Sequence, residues 1–269
     1  MTRWWRGDEA RRPEAAGRRR AARPWLLAAL GLSLLVLGPA WATDTDCDGG
    51  EFDGGNYTCT MPGVTIPDIS GTGISITKWP NGSSDDGYFD IEMPSTFRWY
   101  GQNYDVVYIS TNGFVSFASA GANREMRSTP NNPNGGTPNA TIYAYGDDLD
   151  PSAGGNVYYQ LSATCNDGSG DFDCFVVRWD SVPQFGGTVT ATVSLGIDMT
   201  GSSRAVVEIV SETGDTGDGY PQILGTENAD GSAGLWYLAD PVNDSNSGGA
   251  TTGSEGLGGC GPRAATPSP

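Results

Sequence analysis

The chain has 269 residues, with 15 Lys+Arg against 32 Asp+Glu, a formal net charge of −17, and no histidine. The missing histidine excludes Ser-His-Asp and Cys-His catalysis and His-ligated zinc. The acidic balance speaks against nucleic acid as a partner, because that binding rests on Lys and Arg neutralising phosphates. With 40 Gly, 17 Pro and 17% charged residues, the composition is that of a Gly-rich all-β chain rather than a polyelectrolyte or a membrane bundle.

Residues 1–24 are basic, with Arg11, Arg12, Arg18, Arg19, Arg20 and Arg23. An apolar run from Trp25 to Leu37 follows, then Gly38-Pro39 and Ala40-Trp41-Ala42. A basic start, an apolar stretch and small residues at −3 and −1 predict a signal peptide over 1–42, cleaved after Ala42. The run is shorter than the roughly 20 apolar residues a membrane span needs, so no span is expected once it is removed. The remaining chain, 43–269, keeps 7 basic and 29 acidic residues. The expected destination is secreted, extracellular or at the cell surface, where calcium is plentiful.

Residues 43–73 form an acidic, Gly-rich segment. Asp44, Asp46 and Asp48 occupy positions 1, 3 and 5 of a calcium-type loop with Gly49 at position 6. That spacing lets alternate oxygens converge on one hard cation. Gly55 stands where the loop's bidentate Glu belongs, so a solvated acidic linker is the competing reading. The five cysteines are at 47, 59, 165, 174 and 260. Their spacing favours two local loops, Cys47–Cys59 and Cys165–Cys174, each worth about 2–3 kcal/mol in the chain-entropy model. Four cysteines allow three pairings, and Cys260 is left over.

From residue 74 the pattern becomes a series of short β-branched and aromatic runs punctuated by Gly, Asn, Asp and Pro. Strands are predicted over 74–79, 88–93, 106–111, 114–119, 141–145, 157–163, 174–181, 189–199, 205–212, 222–226 and 234–239. Over 189–199, Val189, Ala191, Val193, Leu195, Ile197 and Met199 alternate with polar or small residues, which predicts a strand with one buried face. Phe175, Val177 and Trp179 alternate in the same way, so Trp179 is assigned to the core. Asn112-Gly113, Gly186-Gly187 and Asp230-Gly231 are hairpin signals. Residues 120–140 form a long Asn/Pro/Gly-rich loop, and 242–269 read as a disordered Gly/Ser/Pro-rich tail. The prediction is a single antiparallel β-sandwich, jelly-roll-like, over 74–241.

The segment 96–117, from Thr96-Phe97-Arg98-Trp99-Tyr100-Gly101 to Ser110-Thr111-Asn112-Gly113-Phe114, resembles the opening of nidogen-like extracellular domains. Tyr143-Ala144-Tyr145-Gly146-Asp147-Asp148-Leu149-Asp150 and Gly155-Asn156-Val157-Tyr158-Tyr159 match later steps of that pattern, although Gly146 stands where the family usually has Trp. The resemblance covers about 75–240. It implies a secreted β-sandwich of the kind used in matrix and cell-surface proteins, here in the form carried by secreted bacterial chains, and it implies no catalysis.

The remaining chemistry lies in carboxylates and aromatic rings. Asp147, Asp148 and Asp150 follow a strand end, and three such neighbours repel unless they are solvated, protonated or metal-bound. Calcium, with Asn156 nearby, is the functional reading; a solvated turn or strand-end cap is the bland one. Asp167, Asp171 and Asp173 read mainly as a polar hairpin tip, because Arg178 falls at position 12. Trp79 and Tyr237 are the aromatic residues expected to be exposed for stacking on sugars. Together these features predict a non-enzymatic binding or adhesion module whose partner is an extracellular protein or glycan, with calcium the one candidate cofactor. The alternatives are a calcium-dependent carbohydrate-binding module and a glycoside hydrolase using Asp147, Asp148 or Glu92.

Overall fold

A computed structural model describes residues 57–59, 63–124, 136–187, 189–213, 223–239 and 255–262. The signal segment 1–42, the loop containing Asp44, Asp46, Cys47 and Asp48, and residues 125–135 lie outside the described residues. In chain order the strands are β1 (Tyr57–Cys59), β2 (Ile74–Ser75), β3 (Asn81–Gly82), β4 (Gly87–Trp99), β5 (Gln102–Ser110), β6 (Phe114–Ser116), β7 (Thr141–Gly146), β8 (Asn156–Asn166), β9 (Asp171–Pro183), β10 (Thr190–Asp198), β11 (Ala205–Thr213), β12 (Ile223–Glu227), β13 (Gly234–Ala239) and β14 (Glu255–Pro262). Two seven-stranded antiparallel sheets pack as a sandwich, ordered β13-β12-β7-β6-β5-β4-β3 and β1-β14-β11-β10-β9-β8-β2. Among the described residues there is no helix.

The expected strands are present, with shifted ends. The run predicted over 74–79 pairs only as far as Ser75, whereas β4, β8 and β9 extend beyond their predicted bounds. Within the tail, Glu255–Pro262 pairs as a strand between β1 and β11. Cys59 stands opposite Cys260 in the β1–β14 ladder, and Cys260 also faces Ala205 of β11.

The main core fills the space between the sheets. Phe97, Trp99, Phe117, Val107 and Ile109 come from one sheet, and Phe175, Val177, Trp179, Val193, Leu195 and Ile197 from the other. Burial of each large apolar side chain contributes about 1.5–3 kcal/mol. Trp179 is in this core, as its alternation requires, and its indole N–H donates across the sandwich to the Ser110 carbonyl at 2.9 Å. That bond satisfies the one polar atom which burying a tryptophan would otherwise strand.

β10 departs from the one-face expectation. Thr192, Ser194 and Asp198 are buried as well as Val193, Leu195 and Ile197. There Ser181 donates to Thr192, Arg178 to Ser194 and Arg204 to Asp198, and Arg178 also pairs with Asp68, from the described part, 63–73, of the acidic N-terminal segment. Val64, Ile66 and Ile69 pack there against Phe172, Val176, Val206 and the cysteines 165 and 174. Thr65 and Asn166 exchange backbone hydrogen bonds, and the Ile66 N–H donates to the Glu208 carboxylate at 3.0 Å. The Cys165–Cys174 disulfide predicted from spacing is present, with Cα atoms 5.9 Å apart across the β8–β9 hairpin. Gly196 lies beneath it: a Cβ there would stand 2.6 Å from the Cys165 sulfur, so this position has room only for glycine.

Candidate functional site

One end of the sandwich gathers the 83–86 turn between β3 and β4, the 111–113 turn between β5 and β6, the loop after β7, and the loop between β9 and β10. In the first turn, the Ser83 hydroxyl accepts hydrogen bonds from the backbone N–H groups of Asp85 and Asp86, at 3.2 and 2.8 Å. The Ser83 N–H donates to the Asp86 carbonyl at 3.0 Å. This Ser-centred turn holds both carboxylates at the tip of a tight hairpin. Its base is fastened to the neighbouring turn: the Gly87 N–H donates to the Thr111 hydroxyl and the Thr111 N–H to the Gly87 carbonyl.

The Asn112-Gly113 turn forms the predicted hairpin, but it is buried rather than a solvent-exposed tip. Ser110, Thr111 and Asn112 have no exposed surface. The Asn112 amide Nδ2 donates to Asp86 Oδ1 at 3.0 Å and to the Arg124 carbonyl at 2.8 Å. The Asn112 carbonyl accepts from the Asp147 N–H at 3.3 Å. Asn112 Oδ1 is buried without a hydrogen bond, an acceptor left at the side of the carboxylates. Gly113 adopts φ 74° and presses so close to β7 that a Cβ would lie 1.8 Å from the Tyr145 carbonyl oxygen. Only glycine fits there, for the backbone angle and the contact alike.

The loop after β7 lies over this turn. Asp147 Oδ1 accepts from the Asp148 N–H at 2.7 Å and from Gln184 Nε2 at 3.0 Å. The Asp148 carbonyl accepts from the Phe185 N–H and the Asp150 N–H donates to the Pro183 carbonyl, which pins the loop to the β9–β10 connection. The result is a meeting of carboxylates from two distant stretches of chain. Asp85, Asp86 and Asp148 each bring an oxygen within 4.8 Å of the others, Asp148 buried and the other two half-buried. Three charged carboxylates at that distance repel by roughly 3 kcal/mol per pair at an effective dielectric of about 20. A cation, a shared proton or a basic partner relieves that repulsion. All the donors are oxygens, a set suited to calcium rather than to zinc or copper.

The predicted trio therefore divides. Asp148 belongs to the cluster. Asp147 is turned to Gln184, and Asp150 Oδ1 is bound by the N–H and hydroxyl of Ser152. Asn156 is exposed at the start of β8, opposite Asp180. Asp85 and Asp86 were not foreseen; their one signal is an Asp pair before a glycine at a hairpin tip, and no local spacing links them to Asp148. Asp167 serves the expected hairpin tip, its Oδ1 accepting from the Ser169 N–H and hydroxyl and the Gly170 N–H. Trp79 is half-buried and packs against the main core rather than standing clear of it. Tyr237 lies in β13, and its side chain is outside the described residues. Glu92 lies on β4 opposite Val106, six residues beyond Asp86 and thus about 20 Å along the strand.

A family model described as NIDO related matches residues 56–254. The chain belongs to the NIDO-related family. No curated protein and no solved structure matches it. In this NIDO-related domain the Thr111-Asn112-Gly113 turn is a buried junction between loops, which gives a physical reason for an Asn-Gly pair at that place. The family and the Cys165–Cys174 disulfide fit an extracellular binding-type domain. Among the described residues no helix is long and apolar enough to cross a membrane.

Proposed function

We propose that this chain is a secreted, non-enzymatic binding module of the cell surface or extracellular matrix. It meets an extracellular protein or glycan through the loop end described above, with calcium held by Asp85, Asp86 and Asp148. The observation that carries this reading is the convergence of those three carboxylates beside the buried, unbonded Oδ1 of Asn112. A cation there ties the 83–86 turn to the loop after β7 and fixes the shape of the exposed end. The three carboxylates bring oxygens within 4.8 Å of one another in a single cluster, whereas the two carboxyls of a glycosidase flank opposite sides of a bound sugar. Glu92 is too far away to act as the second member of such a pair. These distances favour binding over hydrolysis.

The test compares thermal unfolding of the secreted protein in excess EDTA and in millimolar calcium, together with capture of immobilised matrix proteins and glycans under both conditions. A ligand of the native state stabilises by RT ln(1 + [L]/Kd), about 2.7 kcal/mol at a hundredfold excess, so a rise of several degrees is expected, with capture that depends on calcium. No shift removes calcium from the reading. Turnover of a glycoside substrate, lost in Asp148→Asn, replaces the binding module with a hydrolase.

A further inference from the structure

The five cysteines leave one without a partner under any pairing, and the backbone register addresses which one. β1 and β14 run antiparallel with Tyr57 opposite Pro262, Thr58 opposite Gly261 and Cys59 opposite Cys260. Directly opposed residues of an antiparallel ladder have Cα atoms about 4.5–5.5 Å apart. That interval falls inside the window of about 4.4–6.8 Å that a disulfide spans. We propose that Cys59 and Cys260 form a second disulfide, which fastens the first described strand to the last, and that Cys47 is the unpaired cysteine.

The strands themselves support this. β1 has three residues, and β14 reads Glu255-Gly256-Leu257-Gly258-Gly259-Cys260-Gly261-Pro262. A three-residue strand facing a glycine-rich one offers little side-chain packing across the ladder, and glycine is a poor strand former. A covalent cross-link at the opposed pair supplies what propensity lacks. It also closes nearly the whole sandwich into one loop, the case in which a cross-link most restricts the unfolded chain. Spacing alone favours the nearer partner, Cys47–Cys59; the sheet register favours the distant one.

The chemistry is thiol–disulfide exchange. The Cys59 and Cys260 thiols are oxidised together, each losing its proton. A low-molecular-weight disulfide such as oxidised glutathione accepts the two electrons and leaves as two thiols. Exported compartments maintain such oxidants.

The full secreted chain is alkylated without reduction, digested before aspartate and mapped by mass spectrometry. Asp48 and Asp53 separate Cys47 from Cys59, so each pairing gives a distinct product. The expected result is a cross-linked pair carrying Cys59 and Cys260, abolished by reductant, with Cys47 alkylated. Cys59→Ala, Cys260→Ala and the double variant should each lower Tm by the same amount, about 10 °C, with no change for Cys47→Ala. A cross-link between Cys47 and Cys59, an alkylated Cys260, or a reducible dimer through Cys260 overturns the assignment. So do cysteine variants whose effects on Tm add.

Discussion

The two ends of the sandwich both collect aspartates, and they treat them in opposite ways. At one end Arg204 stands between two carboxylates, 2.6 Å from Asp167 and 2.5 Å from the buried Asp198, with its guanidinium 3.8 Å above the Phe172 ring. At the other, Asp85, Asp86 and Asp148 converge on one another. The first arrangement is an ion-pair bracket that locks a hairpin. The second is a set of oxygen donors fastened from behind by Asn112. Similar runs of aspartate in sequence thus acquire different chemistry from whichever loop folds back against them.

That contrast is open to direct attack. The largest effect is expected from Gly113→Ala, where the new methyl meets the Tyr145 carbonyl and the backbone angle disfavours any side chain. Denaturant unfolding should show a loss of about 4 kcal/mol or more; a loss below about 1 kcal/mol would mean that the junction behind the carboxylates is not rigid. Arg204→Ala removes the bracket at the opposite end and leaves the buried Asp198 carboxylate bound to Thr200 but without its counter-charge. Breaking such a pair costs about 3 kcal/mol, and wild-type stability in urea would refute the assigned role. Asp86→Asn keeps an oxygen for the Asn112 amide but removes one of the three charges. It should abolish the stabilisation by calcium, whereas Asp167→Asn should leave any calcium response intact.

The smallest effect is a pH dependence. Burial raises the Asp167 pKa, but the Ser169 hydroxyl and N–H and the Arg204 guanidinium outweigh it and hold the carboxyl down at about 2. A depressed carboxyl stabilises the fold above its unfolded pKa and loses that contribution as pH falls from about 4 through about 2. The pair is only partly buried, and solvent screening limits the contribution to about 1 kcal/mol. Arg204→Ala should flatten this part of the stability profile, measured by urea unfolding between pH 5 and 2. An unchanged slope would separate the hairpin aspartate from its arginine.

Alternation made β9 and β10 legible, because a side-chain period of two leaves no other reading for Val193, Leu195 and Ile197. It could not show that Ser194 and Asp198 are covered too, since their partners are the side chains of Arg178 and Arg204, which no local pattern assigns to that face. The Asn112-Gly113 turn was legible as a turn, but its burial depends on β7 lying across it. Asp148 was legible as a ligand candidate from its acidic neighbours. Its actual companions come from a hairpin far away in the chain, and Asp147 and Asp150 are drawn off by Gln184 and Ser152. Trp79 carried no signal of its depth, because within 76–80 only Ile76 and Trp79 pack against the core, while Thr77, Lys78 and Pro80 are exposed.

Sheet ends are only part of the surface; the lateral margins matter as well. Of the four outermost strands, β1, β2 and β3 contain three, two and two residues, while β13 has six. Stubs of that length offer too few free N–H and C=O groups to template a neighbouring chain. β3 and β2, however, pair with only two residues each of β4 and β8, so among the described strands the outer edge of Gly87–Trp99 beyond Tyr88 joins Gly234–Ala239 as a margin long enough to be extended by an added strand. Ribbon-like growth at high concentration has those described margins to start from, and they are where protection against aggregation would have to be concentrated.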